Sequence, residues 1–576
     1  MSPVHIPPVP RAVIAACLGS LLPLSLGAAE GVATPAVLPL DFFGIGACNQ
    51  TSQNLTTWIP QMAEIGITSM RTPRTVWGSI EPAEGTWKWE VLDEQMKYLS
   101  DHHISYGGLI YGDVRWDKLD RGGTLPVNNL PAWSTYVKEL VTHCAGKVKY
   151  WEVWNEPPNG TGRDQTPADY AKLMISTYDA AHAVDPGCLV GLAAKSVHVN
   201  YLEQVIKAGA KGHYDYIVLH PYEVLGGVAD DIGSEAIYLN IVPTVRKMLA
   251  AQDPAKAQVP VIYTEIGCDA GKSPARQANT LVKAYAMGLA GGVACIEWFE
   301  GMDGDSGPMG LLKADKTPRP AFTAYGTLIK HLGAHPQYLG WTLLNGKHYA
   351  FAFQGATGTV LISWAYKGVQ DIVDFGQTVP ITDPSTGMTS SAQSWPLTST
   401  PIIVDGVPPA LLSEAKANRG KPFSWDGDYV KATSVTITMG EKLVEKGLHN
   451  QSGARIAADV VAYGGGSRAG GMPGGNVFMV DPSFLSYTST PIEISVVVRR
   501  NEANDNSGFK LRYESTNGFK DCGWYTVPDN KEWHTMTWTI KDAEFVNYWD
   551  YNFSLDSDGN KLNKYFIQSV TVKKLE

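Results

Sequence analysis

Residues 150–157 read Tyr150-Trp151-Glu152-Val153-Trp154-Asn155-Glu156-Pro157. The run is rich in aromatic and β-branched side chains and closes on an amide, a carboxylate and a proline, which predicts a β-strand entering a loop. Alternation along a strand places Tyr150, Glu152, Trp154 and Glu156 on one face, with Glu156 outermost. A second run, Val261-Ile262-Tyr263-Thr264-Glu265-Ile266-Gly267, has the same form and also ends in a glutamate.

Around these two runs, from 38 to 334, short apolar segments alternate with longer amphipathic stretches. The strand candidates are Pro39–Gly46, Ser69–Thr72, Tyr106–Tyr111, Val148–Asn155, Leu189–Ala194, Tyr216–His220, Val259–Glu265 and Ala294–Phe299. Eight β-α units of this size predict an α/β fold, a closed (β/α)8 TIM barrel rather than an open doubly wound sheet. No GxGxxG follows the first strand, which speaks against a dinucleotide-binding fold. Glu156 and Glu265 then end the fourth and seventh strands, at the carboxyl-terminal mouth where barrel active sites lie.

Beyond Pro318-Arg319-Pro320 and a helical stretch, Ala321–Leu332, the texture changes. Residues 336–412 alternate apolar and polar in brief runs broken by turn residues, which predicts a small β-sandwich. The stretch Leu411–Trp425 reads as a linker. Residues 426–576 form a second β-rich region, with Ile492–Val498, Phe509–Tyr513, Trp533–Ile540 and Ile567–Val572 as strands. It resembles a jelly-roll β-sandwich of the carbohydrate-binding type. Trp524, Tyr525, Trp533 and Trp549 are its candidate sugar platform, and the Gly-rich tract Tyr463–Gly475 is expected to be a loop.

Composition narrows the function classes. The 576 residues are 44% hydrophobic and 18% charged, which excludes a disordered, coiled-coil or collagen-like protein. A net charge of −10 offers no basic stripe to neutralise phosphates, so no nucleic-acid partner is expected. The 17 Trp and 26 Tyr outnumber 15 Phe, a surplus of amphipathic rings that suits stacking on sugars. Residues 1–29 read as a signal peptide. Arg11 precedes the apolar stretch Ala12–Leu26, and Gly27-Ala28-Ala29 offers small residues for cleavage. A secreted or periplasmic location follows, with no membrane contact after signal removal.

Besides Cys17 the chain has Cys48, Cys144, Cys188, Cys268, Cys295 and Cys522, with no CxxC spacing, so no metal site is expected. Cys144 and Cys188 shortly precede the fourth and fifth strands, which suggests a disulfide between them. Asn-x-Ser/Thr occurs at Asn49, Asn54, Asn159, Asn450 and Asn552. A glycan on Asn159 would obstruct Glu156, so these are read as chance matches.

Two strand-end carboxylates across one barrel mouth are what hydrolysis of a glycosidic bond uses, one as proton donor and one as nucleophile or base. Arg71, at the end of the second strand, is expected to keep Glu265 ionised, with Glu152 as its buried partner. Trp154-Asn155-Glu156-Pro157 followed by Thr264-Glu265 resembles clan A of the glycoside hydrolases, most closely family 39 and its relatives. Phe43-Gly44-Ile45-Gly46, Met70-Arg71-Thr72-Pro73, His220-Pro221-Tyr222 and Gly310-Leu311-Leu312 share that style.

The resemblance implies a retaining enzyme acting on β-glycosidic bonds of an oligo- or polysaccharide, with no cofactor. Glu156 would be the acid/base, kept neutral by its environment, and Glu265 the nucleophile. Asn155 would bind the sugar 2-hydroxyl, and Trp298 would floor the cleaved-sugar subsite. His220 and Tyr222 are expected to touch substrate or orient Glu265. Glu300, on the same face as Trp298, is expected to bind sugar hydroxyls. Trp77, Tyr111 and Trp116 are expected to form stacking subsites beyond the cleaved unit. A transglycosylase, or a carbohydrate-binding protein without catalysis, would share these features.

Overall fold

The computed structural model describes residues 42–46, 52–72, 74–119, 125–159, 165–345, 348–366, 369–421, 423, 427–439, 443–450, 461–462, 465–466, 468–469, 476–500, 507–546, 550–558, 562 and 564–575. The expected signal peptide, Asn49, Trp549 and most of the tract 463–475 lie outside them.

The barrel is present. Its strands are β1 (Phe43–Gly46), β2 (Ser69–Thr72), β3 (Ser105–Ile110), β4 (Val148–Val153), β5 (Leu189–Lys195), β6 (Tyr216–His220), β7 (Val261–Ile266) and β8 (Cys295–Phe299). All pair in parallel with their chain neighbours, and β8 closes on β1. Each lies within a few residues of its expected position, because apolar runs bounded by Gly, Pro and polar residues mark buried parallel strands. The barrel floor is packed with Tyr150, Ala193, Tyr216, Val218, Ile262 and Cys295. Gly191 makes room there, since a Cβ on it would meet the Tyr216 ring at 2.4 Å. Above this floor the interior turns polar, with Arg71, Glu152 and Glu297 all buried.

The next six strands are β9 (Gln337–Leu344), β10 (His348–Gln354), β11 (Thr359–Ala365), β12 (Asp371–Thr382), β13 (Thr389–Leu397) and β14 (Ile402–Asp405). They form one antiparallel path, β13-β12-β14-β11-β10-β9. Period-two alternation divides the faces. Tyr349, Phe351, Phe353, Val360, Ile362 and Trp364 pack into the barrel's core. Ala350, Ala352 and Leu361 join a separate core under Val373, Phe375, Val379 and Ile381 of β12.

The stretch read as a linker is in part a helix, Pro409–Asn418. Its small residues lie against β9: Ala415 is buried, and a Cβ on Gly340 would sit 1.8 Å from the Ala415 carbonyl oxygen. That contact between distant residues is what keeps a weakly amphipathic segment helical.

The last region is a sandwich of two antiparallel sheets. One contains Ser434–Met439, Leu443–Lys446, Ile492–Arg500, His534–Ile540 and Tyr565–Lys574. The other contains Leu448–Asn450, Asn476–Val480, Gly508–Ser515, Gly518–Thr526 and Phe553–Asp556. It packs directly on the barrel. Asn200 Nδ2 donates to the Ser515 carbonyl at 3.0 Å, Ser234 Oγ to Asp550 at 2.9 Å and the Tyr487 hydroxyl to Glu203 at 3.0 Å. Of the expected platform, Trp524 is exposed, while Trp533 is covered by the Arg499 guanidinium at 4.4 Å.

Among the described residues no disulfide forms. Cys144 and Cys188 are both free and buried. They face different surroundings, Cys144 near Asp93 and Cys188 beside Asp185 and Asp215. Burial, with these neighbours, pushes each thiol up to about 12, which leaves them inert at ordinary pH. No helix among the described residues is long and apolar enough to cross a membrane.

Candidate active site

The strand β4 stops at Val153, and the next residues abandon the pleat. Trp154 and Glu156 take left-handed backbone angles, φ +66° and +50°. Alternation therefore fails at the point where it was to place the acid. Trp154 turns toward Tyr111 and Trp133, with ring centroids at 4.9 and 6.3 Å. The consecutive residues Asn155 and Glu156 both reach the barrel mouth. A second irregularity lies in β7, where the pairing register with β8 shifts between Tyr263 and Ile266. As a result Thr264 and Glu265, also consecutive, both find partners at the mouth.

Arg71 organises the centre. Its Nε and Nη2 donate to the two oxygens of Glu152 at 2.8 Å each, its Nη1 to Glu265 Oε2 at 3.0 Å and its Nη2 to Asn155 Oδ1 at 2.7 Å. Burial opposes the guanidinium charge, but Glu152 and Glu265 outweigh it and keep Arg71 protonated. The Tyr222 hydroxyl donates to the other Glu265 oxygen at 3.0 Å. Burial and the Glu265 charge hold that phenol far above its usual range, so it remains a donor. Glu265 thus has a donor on each oxygen, one of them cationic.

Glu156 is held differently. His220 Nδ1 lies 3.0 Å from its Oε1, and His220 Nε2 lies 3.0 Å from Thr264 Oγ1. A nitrogen facing a carboxylate carries the proton, so Nδ1 donates. Asn159 Nδ2 donates to Glu156 Oε2 at 2.9 Å. Burial pushes Glu156 up, but the His220 hydrogen bond and the charges of His220, Lys195 and Arg71 prevail, and its carboxyl lies below the usual range. The free protein therefore favours the ionised form, the reverse of the neutral acid expected from sequence.

One oxygen of Glu156, one ring nitrogen of His220 and one oxygen of Glu265 lie within 4.8 Å of one another. Such a donor set also suits a divalent cation. Here the same groups bond to one another, to Arg71 and to Tyr222, so the positive charge is already built in.

Six expected site residues come together: Arg71, Asn155, Glu156, His220, Tyr222 and Glu265. Others do not. Glu297 lies inside the barrel, where a Cβ on Gly44 would touch its Cγ at 2.6 Å, so the neighbouring Trp298 points outward. Trp298 is fully buried in the layer between strands and helices and cannot floor a subsite. Glu300 is fully buried and accepts from the Gly304 amide at 3.1 Å, which anchors the loop after β8 instead of reaching sugar.

Trp77 is also fully buried. Its Nε1 donates to Glu81 Oε2 at 2.8 Å, and its ring packs on Trp133 and Tyr136. Trp116 donates to the Glu81 carbonyl at 3.0 Å and stays half-buried, as does Tyr111. Sequence reasoning missed Thr264 as the partner of His220, and it missed Glu297, whose burial raises its pKa far above the carboxylate range. It also missed Lys195, although the last residue of an inward-phased strand was a readable signal.

No family model matches the sequence, and no curated protein matches it. Among solved structures the chain is similar to a family 39 glycoside hydrolase from the gut symbiont Bacteroides cellulosilyticus WH2. The identity is 18% and the TM-score 0.52, over 64% of this chain and 82% of that one. It is also similar to a glucosidase from Croceicoccus marinus (11% identity, TM-score 0.44, 94% of this chain and 98% of that one). A third is an α-L-arabinofuranosidase from Thermotoga maritima (11% identity, TM-score 0.46, 65% of this chain and 98% of that one). At such identities the shared property is the fold: this chain has the (β/α)8 barrel of the family 39 glycoside hydrolase.

Proposed function

We propose that the protein is an exported, retaining glycoside hydrolase that cleaves β-glycosidic bonds in an oligo- or polysaccharide. Glu265 attacks the anomeric carbon while Glu156 protonates the departing oxygen. Water, deprotonated by Glu156, then releases the sugar from Glu265. The observation that carries the reading is the carboxylate spacing. One oxygen of Glu156 and one of Glu265 lie within 4.8 Å, which suits the retaining arrangement of about 5–5.5 Å better than the about 6.5–9.5 Å of inverting pairs.

The partners fit these roles. Arg71 and Tyr222 stabilise an ionised nucleophile, and Asn155 is fixed by Arg71 beside it. Substrate that covers the site removes water around Glu156, which favours its neutral form. Proton NMR of the first product tests the reading. The released sugar is expected to carry the substrate's anomeric configuration before mutarotation, and an inverted first product would refute it.

The pH profile gives a second test. The falling limb of kcat/KM reports Glu156 in the free enzyme. His220→Ala removes the group that does most to hold Glu156 ionised, so the limb is expected to move to higher pH. Activity should also fall by about 10–100-fold as Glu156 loses a charge-assisted hydrogen bond. A limb that stays in place or moves to lower pH would show that His220 does not set this acid.

A further inference from the structure

Lys195 ends β5 at the barrel mouth. In the strand register it is paired with His220, and paired residues of parallel strands face the same side. His220 faces inward, where it meets Glu156 and Thr264, so Lys195 projects at the mouth on the Glu156 flank. Its own amide donates to the Pro157 carbonyl at 3.0 Å, which ties the end of β5 to the segment carrying the acid. The side chain is half-buried, and among the described residues its ammonium has no ion-pair partner.

Glu223 accepts from the hydroxyl of Ser196, the residue after Lys195, and forms no ion pair with Lys195. The other basic residue on this stretch, His198, is pushed down to about 4 by burial and by the Lys195 charge, so it is neutral at ordinary pH. Lys195 thus stands on the Glu156 flank of the mouth with no direct ion pair among the described residues. A half-buried lysine that meets the Glu156 carboxylate only at longer range, with no direct ion pair among the described residues, can take an anion from outside, because both charges gain from the pairing.

Resting on the glycosidase reading above, we propose that Lys195 determines specificity by binding an anionic substituent, a uronate carboxylate or a sulfate ester, on the leaving-group side of the substrate. Such an anion has a second effect. The Lys195 charge is among those that hold Glu156 ionised. Pairing it with a substrate anion cancels that influence and helps return the proton that Glu156 must donate. A neutral glycan lacks this contribution.

The test compares three versions of one β-linked oligosaccharide. In the first, a glucuronic acid carboxylate stands on the leaving-group sugar. The second has that carboxyl reduced to the alcohol, and the third carries a sulfate ester there instead. Wild-type protein is expected to favour the carboxylate form, the sulfated form or both over the neutral one by about tenfold in kcat/KM, equivalent to about 1.4 kcal/mol. The charged substrate that gains identifies the anion. Lys195→Met should abolish the preference and Lys195→Arg should keep it. Equal rates on all three substrates, or an equal loss on all three in Lys195→Met, would overturn the assignment while leaving the hydrolase reading intact. Absence of hydrolysis on every glycan tried would instead count against that reading.

Discussion

Glu265→Ala is expected to lower kcat by about 10,000-fold or more, since in the proposed mechanism this residue forms the covalent intermediate and has no substitute in the site. The loss should not come from unfolding. Arg71 remains bidentate to Glu152, so deleting Glu265 leaves no buried guanidinium without a counter-ion. The melting temperature of the variant is therefore expected to stay near that of the parent. Small anions give the decisive readout. Azide entering the space vacated by the Glu265 side chain can attack the anomeric carbon from the same face. The bond to the leaving oxygen breaks, Glu156 supplies its proton, and the product is a glycosyl azide of inverted configuration. Full activity in Glu265→Ala, or rescue with retained configuration, would refute its role as nucleophile.

Glu156→Ala should behave differently, because the nucleophile survives. Loss of general acid catalysis costs about 100- to 10,000-fold on natural substrates whose leaving sugars need a proton. Aryl glycosides with acidic phenols leave unaided, so their first step should be nearly unaffected. The second step then lacks its base, and glycosyl-enzyme should accumulate as an initial burst of phenol. Azide, which needs no base, should restore turnover and give a glycosyl azide of retained configuration. The falling limb of the pH profile should vanish with the group that causes it. A uniform loss on good and poor leaving groups alike would show that Glu156 is not the acid.

The two variants separate because the two carboxylates are held by different partners. Glu265 is fixed by Arg71 and Tyr222, whereas Glu156 is fixed by His220 and Asn159. His220 touches Glu156 on one nitrogen and Thr264, next to Glu265, on the other. It therefore bridges the ends of the two strands that carry the pair.

Sequence alone determined the barrel and placed Glu156 and Glu265 at the ends of its fourth and seventh strands. Eight short apolar runs, each separated by enough chain for a helix, admit few topologies, and strand ends are where a barrel exposes side chains. Arg71 and Asn155 were legible for the same reason, as strand-end polar residues in a buried pattern. The facing of Trp298, Trp77 and Glu300 was not legible. Cys295 and Glu297 take the inward positions of β8, so plain alternation turns Trp298 outward, and Trp77 lies in a short helix whose facing is set by its packing on Trp133 and Tyr136.

The left-handed turns at Trp154 and Glu156 and the register shift in β7 are stabilised by partners more than forty residues away, such as His220 and Arg71. Those contacts exist only after the barrel closes. They send consecutive residues to one side, turn Trp154 into packing and leave Glu156 ionised in the free protein. Local pattern chose which residues reach the mouth. Long-range packing decided how each is held there, because the energy that fixes a strained backbone or a buried charge comes from neighbours brought close by the fold.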